Sequence, residues 1–218
     1  MRRLIFPIFF LGVFCLSGAA QTPKNADPAA TPKVTIDSKF TANDYELMLK
    51  KVKSGDMSVS FAALRMAYTE TKDYSPYGGA QQRNEMMKAL HERRYAEARS
   101  SAERFLATNF VDLTAQFVMW KANEGLERWE EAEFHQKIFS ALIDAIFEND
   151  GLSEETAILS IGISEQYFVM NYLGFVREMK ALVRNETSIF DVHTARNPDT
   201  NESRRFFFNI NKVFGRLF

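Results

Sequence analysis

A short motif recurs in this chain at an interval of 34 residues. The string RYAEA at Arg94–Ala98 returns as RWEEA at Arg128–Ala132, and Phe105 is matched by Phe139 at the same interval. Each copy pairs an aromatic residue with an alanine three positions later, where a helix can pack closely. A period of about 34 residues is typical of helix-turn-helix repeats, whose stacked hairpins share a continuous core. The repeat predicts an array of helical hairpins.

Helical periodicity around the two copies extends this prediction to six helices. Apolar residues at helical spacing predict helix starts near Asn43, Phe61, Ala80, Tyr95, Asp112 and Arg128. Because two copies are few for a stable stack, the hairpin Asn43–Thr71 is expected to stack as a third. The strings MKAL and WKAN before the two copies align at an offset of 33, which predicts a second turn longer by one residue. The region 34–150 is therefore predicted to be a tetratricopeptide-like array.

Beyond Gly151 the helical period changes to strand-like runs. The run AILSIGI at Ala157–Ile163 is β-rich, and the string SEQYFVMNYL after it predicts a short helix. Three further runs separated by turn residues predict an antiparallel meander: Phe175–Arg184, Ser188–Arg196 and Ser203–Asn211. The predicted fold class is α+β and mainly α. In it, the helical hairpins are followed by a small C-terminal antiparallel β element in region 151–218, packed on the helices.

The N-terminus carries the pattern of a secretory signal peptide over residues 1–20. A basic start and a short apolar run at 4–16 are followed by small residues up to Ala20. The run is too short to span a bilayer, and the phenylalanine before Cys15 argues against a lipoprotein signal. Residues 21–33 contain three prolines and few large apolar groups, which predicts a flexible linker. We expect an exported protein, periplasmic or extracellular, soluble after cleavage near Ala20 and without a membrane span.

Charge and residue chemistry exclude several classes of function. Without the two arginines of the leader the chain has 25 basic and 28 acidic residues, so no basic surface favours nucleic acid. Cleavage also removes the only cysteine, which excludes disulfides and thiolate sites. The histidines His91, His135 and His193 lack metal-ligand spacing, and no nucleophile elbow or phosphate-binding glycine loop occurs. We identify no catalytic residue, metal site or cofactor, which favours a protein that is not an enzyme.

Several strings of this chain resemble one family of exported bacterial proteins. They are FAALRMAYTETKDYSPYGG at Phe61–Gly79, ISEQYFVMNYLG at Ile163–Gly174, FDV at Phe190–Val192 and FFFNI at Phe206–Ile210. The family is domain of unknown function four-nine-one-nine, and the resemblance covers the chain from about Tyr45 to its end. In that family an acidic residue often precedes the phenylalanine that matches Phe61, where this chain has Ser60. The resemblance implies a fold and an exported location, and it implies no activity.

The segment Arg65–Gly79 is the best candidate for a binding site. Arg65 places a charge beside an apolar helix face, and three tyrosines lie on or near the following loop, namely Tyr68, Tyr74 and Tyr77. Arginine and tyrosine together are typical of recognition surfaces, because they combine rigid area with directed hydrogen bonds. The alternative is structural: Arg65 holds loop carbonyls while the tyrosines fill the gap between the first and second hairpins.

Two classes of function follow from this reading. The first is a non-catalytic interaction module that holds a protein or peptide on the surface of the stacked helices. The second is a small-ligand binder or an unrecognised enzyme, with a site where the helices meet the C-terminal sheet. An open groove lined by polar and aromatic groups would favour the first, and a closed pocket with convergent ionisable side chains the second.

Overall fold

The computed structural model describes residues 39–215. The predicted signal peptide at 1–20 and linker at 21–33 lie outside the described residues. The elements in chain order are α1 (Ala42–Lys53), α2 (Phe61–Tyr68), α3 (Ala80–His91), α4 (Tyr95–Leu106), α5 (Leu113–Gly125), α6 (Trp129–Ile146), β1 (Ile158–Leu159), α7 (Ile163–Tyr172), β2 (Val176–Arg184), β3 (Ile189–Arg196), β4 (Ser203–Asn209) and α8 (Asn211–Phe214). The fold is α+β and mainly α, as predicted.

The 34-residue period reappears in the backbone of the turns before α4 and α6. At the first turn Arg93 has a φ of 58°, and the amide of Arg94 donates to the carbonyl of Ala89 at 2.8 Å. The second turn repeats both features, with a φ of 58° at Glu127 and a bond of 2.9 Å from the amide of Arg128 to the carbonyl of Asn123. Both are Schellman motifs, in which a left-handed residue satisfies the last carbonyls of a helix.

The prediction of a longer second turn is wrong. The two turns have the same length, since α3 ends at His91 and α5 ends at Gly125. The extra residue lies at the start of α5, which has 13 residues against 12 in α3. Helix α5 begins after Asp112, whose carboxylate accepts a hydrogen bond from the amide of Ala115 at 2.9 Å and caps the helix. An additional half-buried residue at a helix start leaves the turn geometry unchanged.

The hairpin α1–α2 occupies a different place from the predicted one. Helix α2 has α6 as its main helical neighbour outside the hairpin, whereas α3 packs on α4 and α5. The apolar side chains of α2 are buried almost completely, and Leu64 and Ala67 have no exposed surface. The long helix α6 is therefore covered on one side by α5 and on another by α2, which explains its wide apolar arc.

The C-terminal sheet has four strands in the order β1-β4-β3-β2. Strands β2, β3 and β4 form the predicted antiparallel meander. Within the predicted β-rich run only Ile158 and Leu159 form a strand, and this strand pairs with β4 in parallel. The sheet is therefore mixed, because β1 reaches β4 through the crossover that contains α7.

The apolar side chains form two main clusters on either side of the loop between α2 and α3. The larger one joins α1, α2, α6 and α7 to the inner face of the sheet, where Phe206 and Phe208 have no exposed surface. The smaller one lies within α3, α4 and α5 and contains mostly alanine and methionine side chains. Residues 69–79 connect the two clusters, so this loop lies where they adjoin.

Candidate functional site

A cleft of about 390 Å³ opens between the loop 69–79, helix α3 and the end of helix α4. Its lining includes Tyr68, Asp73, Arg83, Arg104, Phe105 and Asn109. A second, narrower pocket of about 30 Å³ shares Tyr68, Arg83 and Asn109 with the cleft and leads toward α7 at Gly162 and Glu165. The two pockets therefore adjoin at these side chains.

The loop that forms one wall of the cleft is fixed at both ends. The carbonyl of Pro76 accepts a hydrogen bond of 3.0 Å from the amide of Ile163, the first residue of α7. Gly79 precedes α3 with a φ of 79°, and a β-carbon there would come within 2.6 Å of the Phe105 ring. Glycine is required at this position both by the left-handed backbone and by the ring beside it. The wall is therefore a defined surface of the fold.

Arg83 forms the floor of the cleft. Its Nε donates to Asp112 Oδ2 at 2.7 Å, its Nη1 donates to the carbonyl of Gly78 at 2.7 Å, and its guanidinium lies 4.9 Å from the centre of the Phe105 ring. The residue is 9% exposed. Its third nitrogen, Nη2, makes no hydrogen bond within the part of the chain that the structure describes. The guanidinium thus has a fixed orientation and one donor nitrogen to offer.

Asn109 lines both pockets beside Arg83. Its Oδ1 is buried and accepts no hydrogen bond from any described residue. A buried acceptor without a donor lowers the free energy of unfolding by roughly 1–3 kcal/mol. Such atoms are therefore uncommon in folded proteins and often have a functional role. Arg83 Nη2 and Asn109 Oδ1 are thus a donor and an acceptor without partners among the described residues, and a ligand reaches the buried oxygen only after a local movement of the side chain.

The structure places the four predicted site residues in different environments. Arg65 is buried, with 2% of its surface exposed, and its Nε and Nη2 donate to Glu165 Oε1 at 3.2 and 2.9 Å. Its Nη2 also donates to the carbonyl of Leu159 at 2.9 Å, while Glu165 Oε2 accepts from the amide of Ile161 at 3.0 Å. Arg65 thus binds the carboxylate of Glu165 and one carbonyl of β1, and not the loop carbonyls that the structural alternative named; these contacts tie α2 to β1 and α7.

The tyrosines divide between the interior and the surface. Tyr68 and Tyr74 are buried, and their rings meet edge-on at 5.6 Å. The hydroxyl of Tyr68 donates to the carbonyl of Asp73 at 3.1 Å, and burial raises the pKa of Tyr68, so the phenol stays protonated as a donor. Tyr77 is 52% exposed and lies outside the lining of both pockets. Of the four predicted site residues, Tyr68 and Tyr74 are therefore in contact with each other. Arg65 is buried against β1 and α7, and Tyr77 lies outside both pockets.

Sequence reasoning missed Arg83, Arg104 and Asn109, which line the cleft. A signal for Arg83 was present, because it falls on the same face of α3 as Met86 and Leu90, at spacings of three and seven residues. A charge on an apolar helix face indicates a buried partner or a site. Asn109 follows α4 in an irregular stretch, where no periodicity could reveal that its side chain points inward.

Buried polar groups also lie between α7 and the sheet. His193 has no exposed surface and its Nε2 donates to Gln166 Oε1 at 2.8 Å, while Asp191 is 1% exposed and lies 2.8 Å from Lys180 Nζ. Burial is the main cause that lowers the pKa of His193 to about 4, so the imidazole is neutral at pH 7. These side chains are covered by protein, and a substrate cannot reach them without a local opening.

Two further geometric findings bear on function. Among residues 39–215, no group of three histidine, aspartate or glutamate side chains lies close enough together to hold a metal ion. The helices in that range are also too short or too polar to cross a bilayer.

Residues 33–216 match the sequence profile of the family described as Domain of unknown function (DUF4919). The chain belongs to this family. In this DUF4919 protein Ser60 caps α2, since its Oγ accepts from the amide of Ala63 at 3.2 Å. Serine and aspartate are both preferred at that position, so an acidic residue there would serve the same capping role. No curated protein and no solved structure matches the chain significantly.

Proposed function

We propose that this DUF4919 protein is a non-catalytic module that binds an extended segment of another protein in the cleft between loop 69–79 and helices α3 and α4. The observation that carries the proposal is the pair Arg83 and Asn109 in the lining of the cleft, since the Nη2 of Arg83 and the buried Oδ1 of Asn109 both lack a partner among the described residues. A peptide group offers an N–H donor and a C=O acceptor, which complement this pair.

The charge of the cleft supports an amide-bearing ligand over a strongly charged one. Two cations, Arg83 and Arg104, and two acids, Asp73 and Glu85, line the same space. Arg83 is neutralised by Asp112, and Arg104 donates to the hydroxyls of two serines on its own helix. A phosphate or a polyanion would find only one uncompensated cation, and phosphate recognition usually relies on several. A neutral main-chain segment fits this mixed lining better.

The repeat and the leader sequence agree with this assignment. Hairpins with a period of about 34 residues are built as interaction surfaces in tetratricopeptide-like arrays, and the cleft lies at the first hairpin of the repeat. The leader pattern supports export, so the segment that binds belongs to a partner in the periplasm or outside the cell. N-terminal sequencing of the protein from a periplasmic fraction tests the export, with Gln21 expected as the first residue.

The proposal is tested by selection from a library of random heptapeptides displayed on phage. The protein without residues 1–20 should enrich a related set of sequences, and the same selection on the Asn109→Ala variant should lose that set. Calorimetry on the enriched peptides should show an affinity at least about tenfold lower for Asn109→Ala, the equivalent of one lost hydrogen bond to a buried acceptor.

The thermal stability of Asn109→Ala separates binding from folding. Because the substitution removes an acceptor that has no donor, it should leave the melting temperature unchanged or raise it slightly. The variant Asn109→Asp keeps the acceptor and serves as the matched control for the side-chain volume. Failure to enrich any sequence family, or equal enrichment on Asn109→Ala, would refute the peptide-binding proposal.

A further inference from the structure

Strand β2 lies at the edge of the sheet and is exposed along nearly its whole length. The sheet order places β3 on one side of it, and no described strand lies on the other. Eight of its nine residues are exposed, including Val176, Met179 and Leu182, each more than half exposed. Long exposed edge strands pair readily with another extended chain.

The register with β3 divides the side chains of β2 into two faces of opposite character. Lys180 pairs with His193, whose ring contacts α7, so Lys180 lies on the helix-facing side of the sheet. By the same register that side also carries Arg177, Leu182 and Arg184, while Val176, Met179, Ala181 and Val183 lie on the outer side. One face of the edge therefore carries three cations, and the other is apolar apart from Glu178, which lies at the bulge and pairs with Arg196 of that face.

The backbone of β2 offers hydrogen-bonding groups to an added strand. The amide of Asn185 donates to the carbonyl of Ser188 at 3.0 Å across the hairpin, which makes this a hydrogen-bonded pair. Since such pairs alternate along an antiparallel ladder, Val183 and Ala181 bond to β3, and Lys180, Leu182 and Arg184 direct their N–H and C=O groups outward. These outward N–H and C=O groups are available to form ladder hydrogen bonds with an added strand.

The cations on the helix-facing side are incompletely neutralised. Lys180 lies 2.8 Å from the buried carboxylate of Asp191. Arg177 lies over the ring of Tyr167 at 5.0 Å and Arg184 over the ring of Phe214 at 5.6 Å, and neither makes an ion pair with a described residue. The only acid of the strand, Glu178, is bound to Arg196. An approaching strand therefore meets two cations that have no carboxylate.

We infer that the edge of β2 binds an extended segment of a partner protein whose acidic and apolar residues alternate, and that this segment adds to the sheet as a fifth strand. Its acidic residues would face Arg177 and Arg184, and its apolar residues would extend the outer face beside Met179 and Ala181. A second copy of this chain is a poor occupant, because pairing β2 with β2 would bring two sets of three cations together.

Binding of the acetylated and amidated peptide Glu-Val-Glu-Val-Glu-Val-Glu, measured by calorimetry on the protein without residues 1–20, tests this inference. The peptide should bind, and the same peptide N-methylated at alternate residues on its pairing edge should bind at least about tenfold more weakly, because two or more ladder hydrogen bonds are lost. The Lys-Val counterpart should bind at least about tenfold more weakly as well, because like charges oppose each other.

Variants of β2 provide the second arm of the test. Leu182→Pro removes an outward N–H without breaking the ladder to β3, and should weaken the Glu-Val peptide at least about tenfold relative to the control Leu182→Ala. Arg177→Glu with Arg184→Glu should reverse the preference toward the Lys-Val peptide. Asn109→Ala should leave this binding unchanged, which separates it from the cleft. Equal binding of the N-methylated peptide, or no binding of the Glu-Val peptide, overturns the inference.

Discussion

Two buried arginine–carboxylate pairs hold this fold together, and they differ in what surrounds them. Arg65 and Glu165 are 100 positions apart in the chain. Nη2 of Arg65 also donates to the carbonyl of Leu159, and Oε2 of Glu165 accepts from the amide of Ile161. Arg83 and Asp112 are 29 positions apart, Arg83 lies at the floor of the cleft, and its Nη2 has no partner among the described residues. The first pair is enclosed by the protein, and the arginine of the second borders an open cleft.

The contrast shows that the type of residue does not by itself identify a site. Both arginines lie on helices beside apolar side chains, and both are nearly buried. What separates them is the space beside each side chain. Arg65 lines a pocket of only about 10 Å³, whereas Arg83 lines the cleft of about 390 Å³ together with Asn109, whose Oδ1 has no donor among the described residues. Arg65 therefore has a structural role, and Arg83 is proposed to bind the ligand.

The largest effect is expected from Arg65→Ala. Removing this side chain leaves the carboxylate of Glu165 buried without its cation, so the free energy of unfolding should fall by about 3–5 kcal/mol. Urea unfolding followed by circular dichroism measures the loss. The matched control is Arg94→Ala, because Arg94 also contacts two carboxylates but is exposed, so its loss should change the stability far less. Equal losses of the free energy of unfolding in the two variants would contradict the structural role of Arg65.

An effect that is somewhat smaller for each residue is expected from pH, through two buried histidines. Burial is the main cause that lowers the pKa of both His193 and His135 to about 4, and Arg99 lowers that of His135 further. Nδ1 of His135 donates to Gln116 Oε1 at 2.7 Å. Like the imidazole of His193, that of His135 is neutral at pH 7. The unfolded chain binds protons below about pH 6.5 and the folded chain does not until about pH 4, so stability falls as the pH drops through this window.

The loss by pH 4 should be about 3 kcal/mol for each histidine, and it should be fully absent above pH 7. Urea unfolding at a series of pH values measures it. The variants His193→Gln and His135→Gln should each remove about half of the decline between pH 6.5 and 4. A decline that is unchanged in both variants would show that other groups cause it.

The comparison of sequence and structure is informative at particular residues. Helix ends at Gly55 and Gly174 were predictable, because glycine adopts the left-handed conformation that each turn uses. Arg93 and Glu127 adopt the same conformation without being glycine, and only the 34-residue repeat indicated those turns. The antiparallel meander followed from local turn chemistry, whereas the parallel pairing of β1 with β4 depends on residues about 50 positions apart.

The same distinction applies to the site. The segment Arg65–Gly79 was predicted as a candidate binding site because arginine and tyrosine stood beside glycine and proline, and this role stays a prediction. Which of its side chains face the cleft depended on partners far away in the chain, such as Glu165 for Arg65 and Phe105 for Gly79. Such partners are fixed by packing, and a single sequence does not encode them in any local pattern.

The most direct test of the contrast between the two pairs is an NMR titration that follows the Nε–H resonances of both arginines. One of the heptapeptides enriched by the selection is added to the labelled protein. The resonance of Arg83 should shift progressively until the site is saturated, because its guanidinium lies at the floor of the cleft, and that of Arg65 should stay in place. A shift at Arg65 together with an unmoved Arg83 would contradict the account.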